Sequence, residues 1–299
     1  MIRQGMRFVV VTMVMLIAVG FTACNNHKKH AENQVPLIAL LTDYGLSDAF
    51  VAEMKGAILT VNPNVRLLDL THEIEPFNLM QAAYLLSQSS AEFPANTIFV
   101  AAVDPGVGTT RSAIMLQTNA GKYYIAPNNG LLTLVMEREG FAKAWKLDRP
   151  GYYRKGVMST TDHGRDIFGP VAAHLADGVP ADSIGSALTK KDVILLPYRA
   201  AAVNGPNLSG EVWHVDHYGN IITNIPASMD PNLKDGVLLR ITLGKQTFSA
   251  PLVKTFADVQ KGRIAVLIGS QGLLEICANQ GSAGKQLSAQ AGQSVLIQK

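Results

Sequence analysis

The 299-residue chain predicts an α/β fold in two parts: an N-terminal three-layer α/β domain around a largely parallel sheet, then a C-terminal all-β, barrel-like domain. Two observations carry this expectation. From residue 36 to about residue 103, short apolar runs alternate with amphipathic helical stretches, the pattern of an open sheet with helices on both faces. From residue 211 onward, short strand-like runs follow one another, separated by Gly, Asn and Asp.

The first residues are set aside before the fold is read. Arg3 and Arg7 form a positive start, "FVVVTMVMLIAVGF" is an apolar core, and "FTAC" ends it with small residues. Residues 1–23 thus read as a lipoprotein signal peptide with Cys24 as the lipidated first residue of the mature chain. The apolar stretch falls short of the roughly 20 residues of a spanning helix, and the alternative is an uncleaved N-terminal anchor. Residues 24–35, "CNNHKKHAENQV", are too polar to build a core and read as a tether. The expected location is outside the cytoplasm, lipid-anchored to a bacterial membrane on its periplasmic or outer face.

Composition agrees with that reading. Beyond Cys24 the chain has only Cys277, so an internal disulfide is not expected and stability must come from packing. The formal charge of +3 falls to +1 when Arg3 and Arg7 leave with the leader. With 16% charged residues and no basic run beyond the tether, a nucleic-acid partner is not predicted.

Within the first domain, placed at residues 36–200, "PLIALLTDYG" reads as a buried strand ending in a turn, and "DAFVAEMKGAILTVNP" as a helix. "VRLLDLTHEI" is a second strand, "NLMQAAYLLSQSSAEF" a second helix and "TIFVAAV" a third strand. Ligands of such sheets gather beyond the carboxyl ends of the strands, where Asp43, Asp69 and Asp104 fall. A further helix is expected over about 166–176, stopped by Gly178. "YRAAAVNGPNLSG" reads as a linker, and the second domain, residues 208–299, supplies the runs "EVWHVDHYGNIITNI", "GVLLRITLG", "KQTFSAPLV", "RIAVLIG", "LLEICA" and "SVLIQK".

Chemistry concentrates in the loops. In "VDPGVGTTR" a glycine-rich turn follows a strand, yet the Gly-Lys-Ser/Thr ending of a phosphate loop is missing, and Asp104 and Arg111 flank the turn instead. The seven histidines include no metal-binding pattern, and His214 and His217, three apart on an expected strand, point to opposite faces. A metal site is therefore not expected. "TDHGRD" sets His163 ahead of a helix, where a simple cap contact is the alternative to a chemical role. The Asp, Gly and Asn of "DHYGNIITN" equally suit an ordinary β-turn.

Taken in order, "TDYG" with "EMKG", "DLTHEI", "VDPGVGTTR", "TDHGRDIFGP", "DHYGNIITN" and "GSQGLLEICANQGSA" resemble the S-adenosyl-L-methionine (SAM) hydroxide adenosyltransferases, relatives of the SAM-dependent fluorinase and chlorinase. The resemblance runs from about residue 37 to 298. It implies a homotrimer whose active sites lie where the N-terminal domain of one subunit meets the C-terminal domain of the next. It also implies a reaction in which SAM is the substrate and no separate cofactor is needed: hydrolysis to adenosine and L-methionine.

By that resemblance Asp104, Arg111 and His163 activate water. His163 is the favoured base or shuttle, with Asp104 orienting water and pairing Arg111, and the reverse assignment stays open. Asp43 is implied at the ribose hydroxyls, Phe77 as an apolar wall, Asp216 and Ser270 at the amino-acid end, and Asn220 at adenine. For Phe77, core packing is the alternative. Two positions depart from the family: Asp162 replaces a common aromatic before the histidine, and Asn128 replaces a usual acid. Two other functions are weighed: a halide-using adenosyl transferase, which the Asp104 and His163 positions disfavour, and a lipoprotein that binds SAM or adenosine without turnover.

Overall fold

The computed structural model describes residues 35–299. The signal peptide, Cys24 and nearly all of the tether lie outside the described residues. Among the described residues, no helix is long and apolar enough to cross a membrane.

The first sheet holds strands β1 (Leu37–Thr42), β2 (Arg66–Thr71), β3 (Ile98–Ala102), β4 (Ala113–Gln117), β5 (Tyr123–Pro127), β6 (Lys143–Lys146) and β7 (Ser186–Leu188). Their order is β2-β1-β3-β5-β4-β6-β7. Strands β2, β1, β3 and β5 pair in parallel, while β4 and β7 run against their neighbours. Side chains alternate across the sheet as the two-residue period of a strand requires. Ile38, Leu40, Ile98 and Val100 pack against helices α1 (Phe50–Val61) and α4 (Gly169–Ala176). Ala39, Leu41, Phe99 and Ala101 face α2 (Leu79–Ser90) and α3 (Thr133–Glu139) on the other side. This is the expected three-layer arrangement.

β1 carries β2 on one side and β3 on the other, so the order in which successive strands are added reverses there. The crevice at the carboxyl ends of β1 and β3 is the switch point at which open α/β sheets take ligands. Asp43 directly follows β1 and Asp104 lies just past β3, so both reach that crevice. Asp69 does not: it sits within β2, its carboxylate bound to Lys55 Nζ at 2.7 Å.

The second sheet is antiparallel, in the order β12-β11-β15-β9-β10-β14-β13, with β8 added to β9. Its strands are β8 (Ala202–Asn204), β9 (Asn207–Val215), β10 (Ile221–Pro226), β11 (Leu238–Leu243), β12 (Gln246–Pro251), β13 (Ile264–Ile268), β14 (Leu273–Ala278) and β15 (Ser294–Gln298). The edges nearly meet, as the Val253 N–H donates to Val266 O at 2.8 Å. That near-closure removes the exposed edges an open sheet would present. The two halves lock through Tyr84 of α2, whose ring packs 5.9 Å from Trp213 and 5.7 Å from His214 of β9.

Three local expectations are revised. The stretch read as a linker contains β8, which turns through Gly205-Pro206 into β9, so part of it is barrel. β4 and β5 went unassigned, although "AIMLQ" and "YYIAP" around "TNAGK" carry a hairpin signature. Finally, the helix after His163 begins as a π-helical turn over Gly164–Phe168, with Gly169 N–H bonded to Gly164 O, before α4 takes over. Such turns are rare and recur at functional sites.

Candidate active site

The glycine-rich loop after β3 folds back on its own acid. Asp104 Oδ1 accepts the Gly106 N–H at 3.2 Å, and Thr109 Oγ1 donates to Gly106 O at 2.7 Å. Gly108 has φ +80, and a Cβ there would lie 3.1 Å from Thr160 O, so glycine suits the position for both conformation and space. The fold-back brings Arg111 round to Asp104. Arg111 Nε donates to Oδ1 at 2.8 Å and Nη2 to Oδ2, a two-pronged pair between side chains only 10% and 11% exposed.

Arg111 Nη2 also lies 3.0 Å from Nδ1 of His163, and the guanidinium stacks over Phe168 at 5.9 Å. His163 reaches this point because the π-helical turn begins at Gly164. A side chain at Gly164 would collide with the Tyr44 hydroxyl, so only glycine lets the turn approach β1 this closely. Burial, and then the Arg111 charge, hold His163 below the ordinary histidine range, which keeps the ring neutral at pH 7. Arginine has no acceptor, so Nδ1 must present its lone pair and the neutral ring carries its hydrogen on Nε2.

Asp104 and His163 line a cleft of about 390 Å³ together with Asp43, Tyr44, Phe77 and Asp162. Phe77 is 67% exposed and holds φ +69, an unfavourable conformation for an aromatic residue, so core packing is not its role. Its N–H donates to Asp43 Oδ2 at 2.9 Å, which fixes the Asp43 carboxylate at the rim. The Tyr44 hydroxyl is pushed well above the usual tyrosine range by burial and by Asp162, Asp43 and Asp104 around it.

The remaining expected residues lie elsewhere. Asp216 and Ser270 line a second cleft of about 640 Å³ that shares no residue with the first. Asp216 accepts from both the backbone N and Nδ2 of Asn220 at 2.8 Å, closing the β9–β10 turn. Asn220 is buried behind Asp216 and lines neither cleft. The turn reading of "DHYGN" therefore holds alongside any binding role. Glu275 and His214 also line this second cleft; burial, with Asp216 adding, raises the Glu275 carboxyl.

Comparison with known proteins decides the family. The SAM hydroxide adenosyltransferase N-terminal domain model matches residues 38–185 and its C-terminal counterpart residues 210–296. The chain belongs to this family. The (R)-S-adenosyl-L-methionine hydrolase of Thermus thermophilus is 34% identical over 267 residues, spanning 87% of this chain and 98% of that protein. A fluorinase from Actinoplanes sp. is 30% identical over 295 residues, 89% of this chain and 99% of its own length. Among solved structures, an uncharacterized conserved protein from Thermotoga maritima superposes with a TM-score of 0.83 at 39% identity, covering 87% of this chain and 99% of its own.

The two departures from the family pattern differ in kind. Asn128 stitches loops together away from both clefts, donating to Asp192 O at 2.9 Å and accepting from Ile194 N at 2.8 Å. Asp162 does line the first cleft, but its partner is Arg165, not His163. Its Oδ1 accepts the Arg165 N–H at 3.1 Å, and Oδ2 lies 3.6 Å from Arg165 Nε. Arg165 in turn grips the fully buried Asp166 and reaches Glu53 at 2.9 Å. These charges hold the loop ahead of the π-helical turn and are not free surface groups. Tyr44, Phe50 and Phe168 of the first cleft were missed, because an aromatic beside an apolar run reads as ordinary core.

Proposed function

We propose that this protein hydrolyses S-adenosyl-L-methionine to adenosine and L-methionine by in-line attack of water on the ribose 5′ carbon. The observation that carries the reading is the Asp104–Arg111–His163 cluster at the switch point of the sheet, in a family whose curated members include SAM hydrolases. The sulfonium leaves as a neutral thioether and takes the C5′–S electron pair with it. It needs no acid and no further cofactor, so the demand falls on the nucleophile. Water, with a pKa near 15.7 in bulk, must be held in line and deprotonated.

In this reading the base is Asp104, and His163 is the donor. With Nδ1 tied to Arg111, His163 offers Nε2–H, a donor that positions the water oxygen and stabilises developing hydroxide. Asp104 is the neighbouring acceptor and takes the proton, which it returns to solvent after methionine and adenosine leave. Arg111 stays charged throughout and holds both partners in place. Three carboxylates, Asp43, Asp104 and Asp162, surround the cleft, an environment that repels chloride or fluoride.

Asp43 suits the ribose hydroxyls, since a carboxylate accepts hydrogen bonds from both, and Phe77 forms an apolar wall beside it. Asp216 and Ser270 hold the amino-acid end, and Asn220, buried behind Asp216, supports that carboxylate. Because these two sets lie in separate clefts of one chain, a complete site forms between copies, as a closed homotrimer provides. Cys24 carries a lipid that anchors the protein outside the cytoplasm.

The test is incubation of the full chain, in detergent, with the (R) and (S) sulfonium forms of SAM, with and without chloride. The names of the hydrolase relatives specify the (R) form. Equal adenosine and methionine, unaffected by chloride, is the expected result. A 5′-halogenated nucleoside, or tight binding without products, overturns the proposal.

A further inference from the structure

The motif "DLTHEI" has no place in the chemistry above, yet it forms a buried polar chain that ends beside Asp43. His72 is 3% exposed and lies just beyond β2. Its Nδ1 is 2.8 Å from Thr42 Oγ1, a fully buried hydroxyl at the end of β1. Its Nε2 is out of water, and its nearest polar neighbour is Asp69 Oδ1 at 3.1 Å, somewhat off the line of a good hydrogen bond. Asp69 is held on its other oxygen by Lys55 Nζ at 2.7 Å. Burial is the largest single influence and raises its carboxyl, but the Lys55 hydrogen bond and the nearby His72 together outweigh it and hold the group below the usual range.

The arrangement admits one tautomer. A lone pair on Nε2 would face the Asp69 carboxylate, so Nε2 carries the hydrogen and Nδ1 accepts from the Thr42 hydroxyl. That leaves the Thr42 oxygen free to accept the Tyr44 N–H at 3.2 Å, across the Asp43 between them. The His72 carbonyl meanwhile accepts the Gly45 N–H at 2.8 Å. Ring and carbonyl of His72 thus grip the turn that carries Asp43 on both sides.

We propose that His72 is a positioning residue for substrate binding: through Thr42, and oriented by Asp69 and Lys55, it holds Asp43 in the geometry that binds ribose. The inference rests on the reading of Asp43 as the ribose-binding carboxylate. A binding group equally engaged in ground and transition states controls KM and leaves kcat alone, so the relay has a kinetic signature distinct from a loss of folding.

The experiment compares steady-state SAM hydrolysis by the full chain with that of T42V, T42S, D69N and D43N, with melting temperatures measured in parallel. T42V keeps the shape and removes the hydroxyl. Its KM is expected to rise about tenfold with kcat within about twofold, while T42S stays near the parent protein. Should T42V fail to fold, D69N at the partly exposed carboxylate provides the readout, with KM raised about threefold to fivefold. A KM unchanged in T42V or D69N while D43N raises it overturns the relay and leaves the role of Asp43 standing. So does a fall in kcat at constant KM, or a T42S as impaired as T42V. If D43N itself leaves KM unchanged, the ribose reading fails and the relay falls with it.

Discussion

Replacing Asp104 by Asn tests the proposed base most directly, because it keeps size and shape while removing the charge that accepts a proton. The loss of a positioned general base costs about 10²- to 10⁴-fold in rate, or about 3–5 kcal/mol of barrier. The fold is also affected. Arg111 would keep its bond to Ser112 O at 3.0 Å but lose its counter-charge while 10% exposed, at a cost of about 3 kcal/mol. For a chain of this size that lowers the melting temperature by about 6–12 °C. The assay is adenosine release at 20 °C, below the lowered transition, with KM measured alongside. D104N should show kcat down about 10³-fold with KM within about threefold. H163Q, which displaces the positioned ring donor and leaves the Asp104 acceptor in place, should fall only about 10- to 100-fold. A folded D104N that keeps more than about a tenth of its turnover, or an H163Q loss exceeding that of D104N, refutes the assignment.

Other consequences follow from the same geometry. F77G relieves the left-handed backbone at φ +69 and should stabilise the fold by about 1 kcal/mol, yet weaken SAM binding; the melting temperature and KM, measured on one sample, should rise together. G164A drives a methyl into the Tyr44 hydroxyl and should cost about 1–3 kcal/mol with a severe loss of turnover, read by melting and product release. His163, His174 and His214 are all held below the ordinary histidine value, chiefly by burial. The folded state thus binds fewer protons than the unfolded one, and stability should fall as pH drops below about 6.5, less steeply in H163Q, as denaturant titrations at several pH values would show. Finally, co-refolding inactive D104N with inactive D216N should restore activity at about a quarter of the sites if each is built from two subunits; no recovery would place the whole site within one chain.

The elements around the first cleft were legible because their signals are local. The runs "LIALL" and "IFVAA" are apolar at every position, which marks strands covered on both faces, and each leads into an acid-bearing turn. The switch point between β1 and β3 follows from that order once the sheet is recognised. β4 and β5 were less visible, since five-residue strands joined by a turn carry little periodicity. The start of the helix after His163 was misplaced because a π-helical turn has the same composition as an α-helical one. What selects it is the fit of Gly164 beneath Tyr44, a contact between residues far apart in the chain.

From sequence patterns and family resemblance, the two-part fold and the family were both determined, because strand and helix periods, turn residues and ordered motifs are written over a few positions at a time. Tertiary structure decided what those residues do to one another. It showed that Asn128 is a loop stitch and Asp162 a cleft wall, that Phe77 is an exposed rim and no core residue, and that His72 clamps the turn bearing Asp43. It also placed Arg111 against Nδ1 of a histidine 52 positions away, which sets the tautomer of that ring. A hydrogen bond depends on distances of a few tenths of an ångström between side chains that only the closed fold brings together, and sequence spacing holds no record of them.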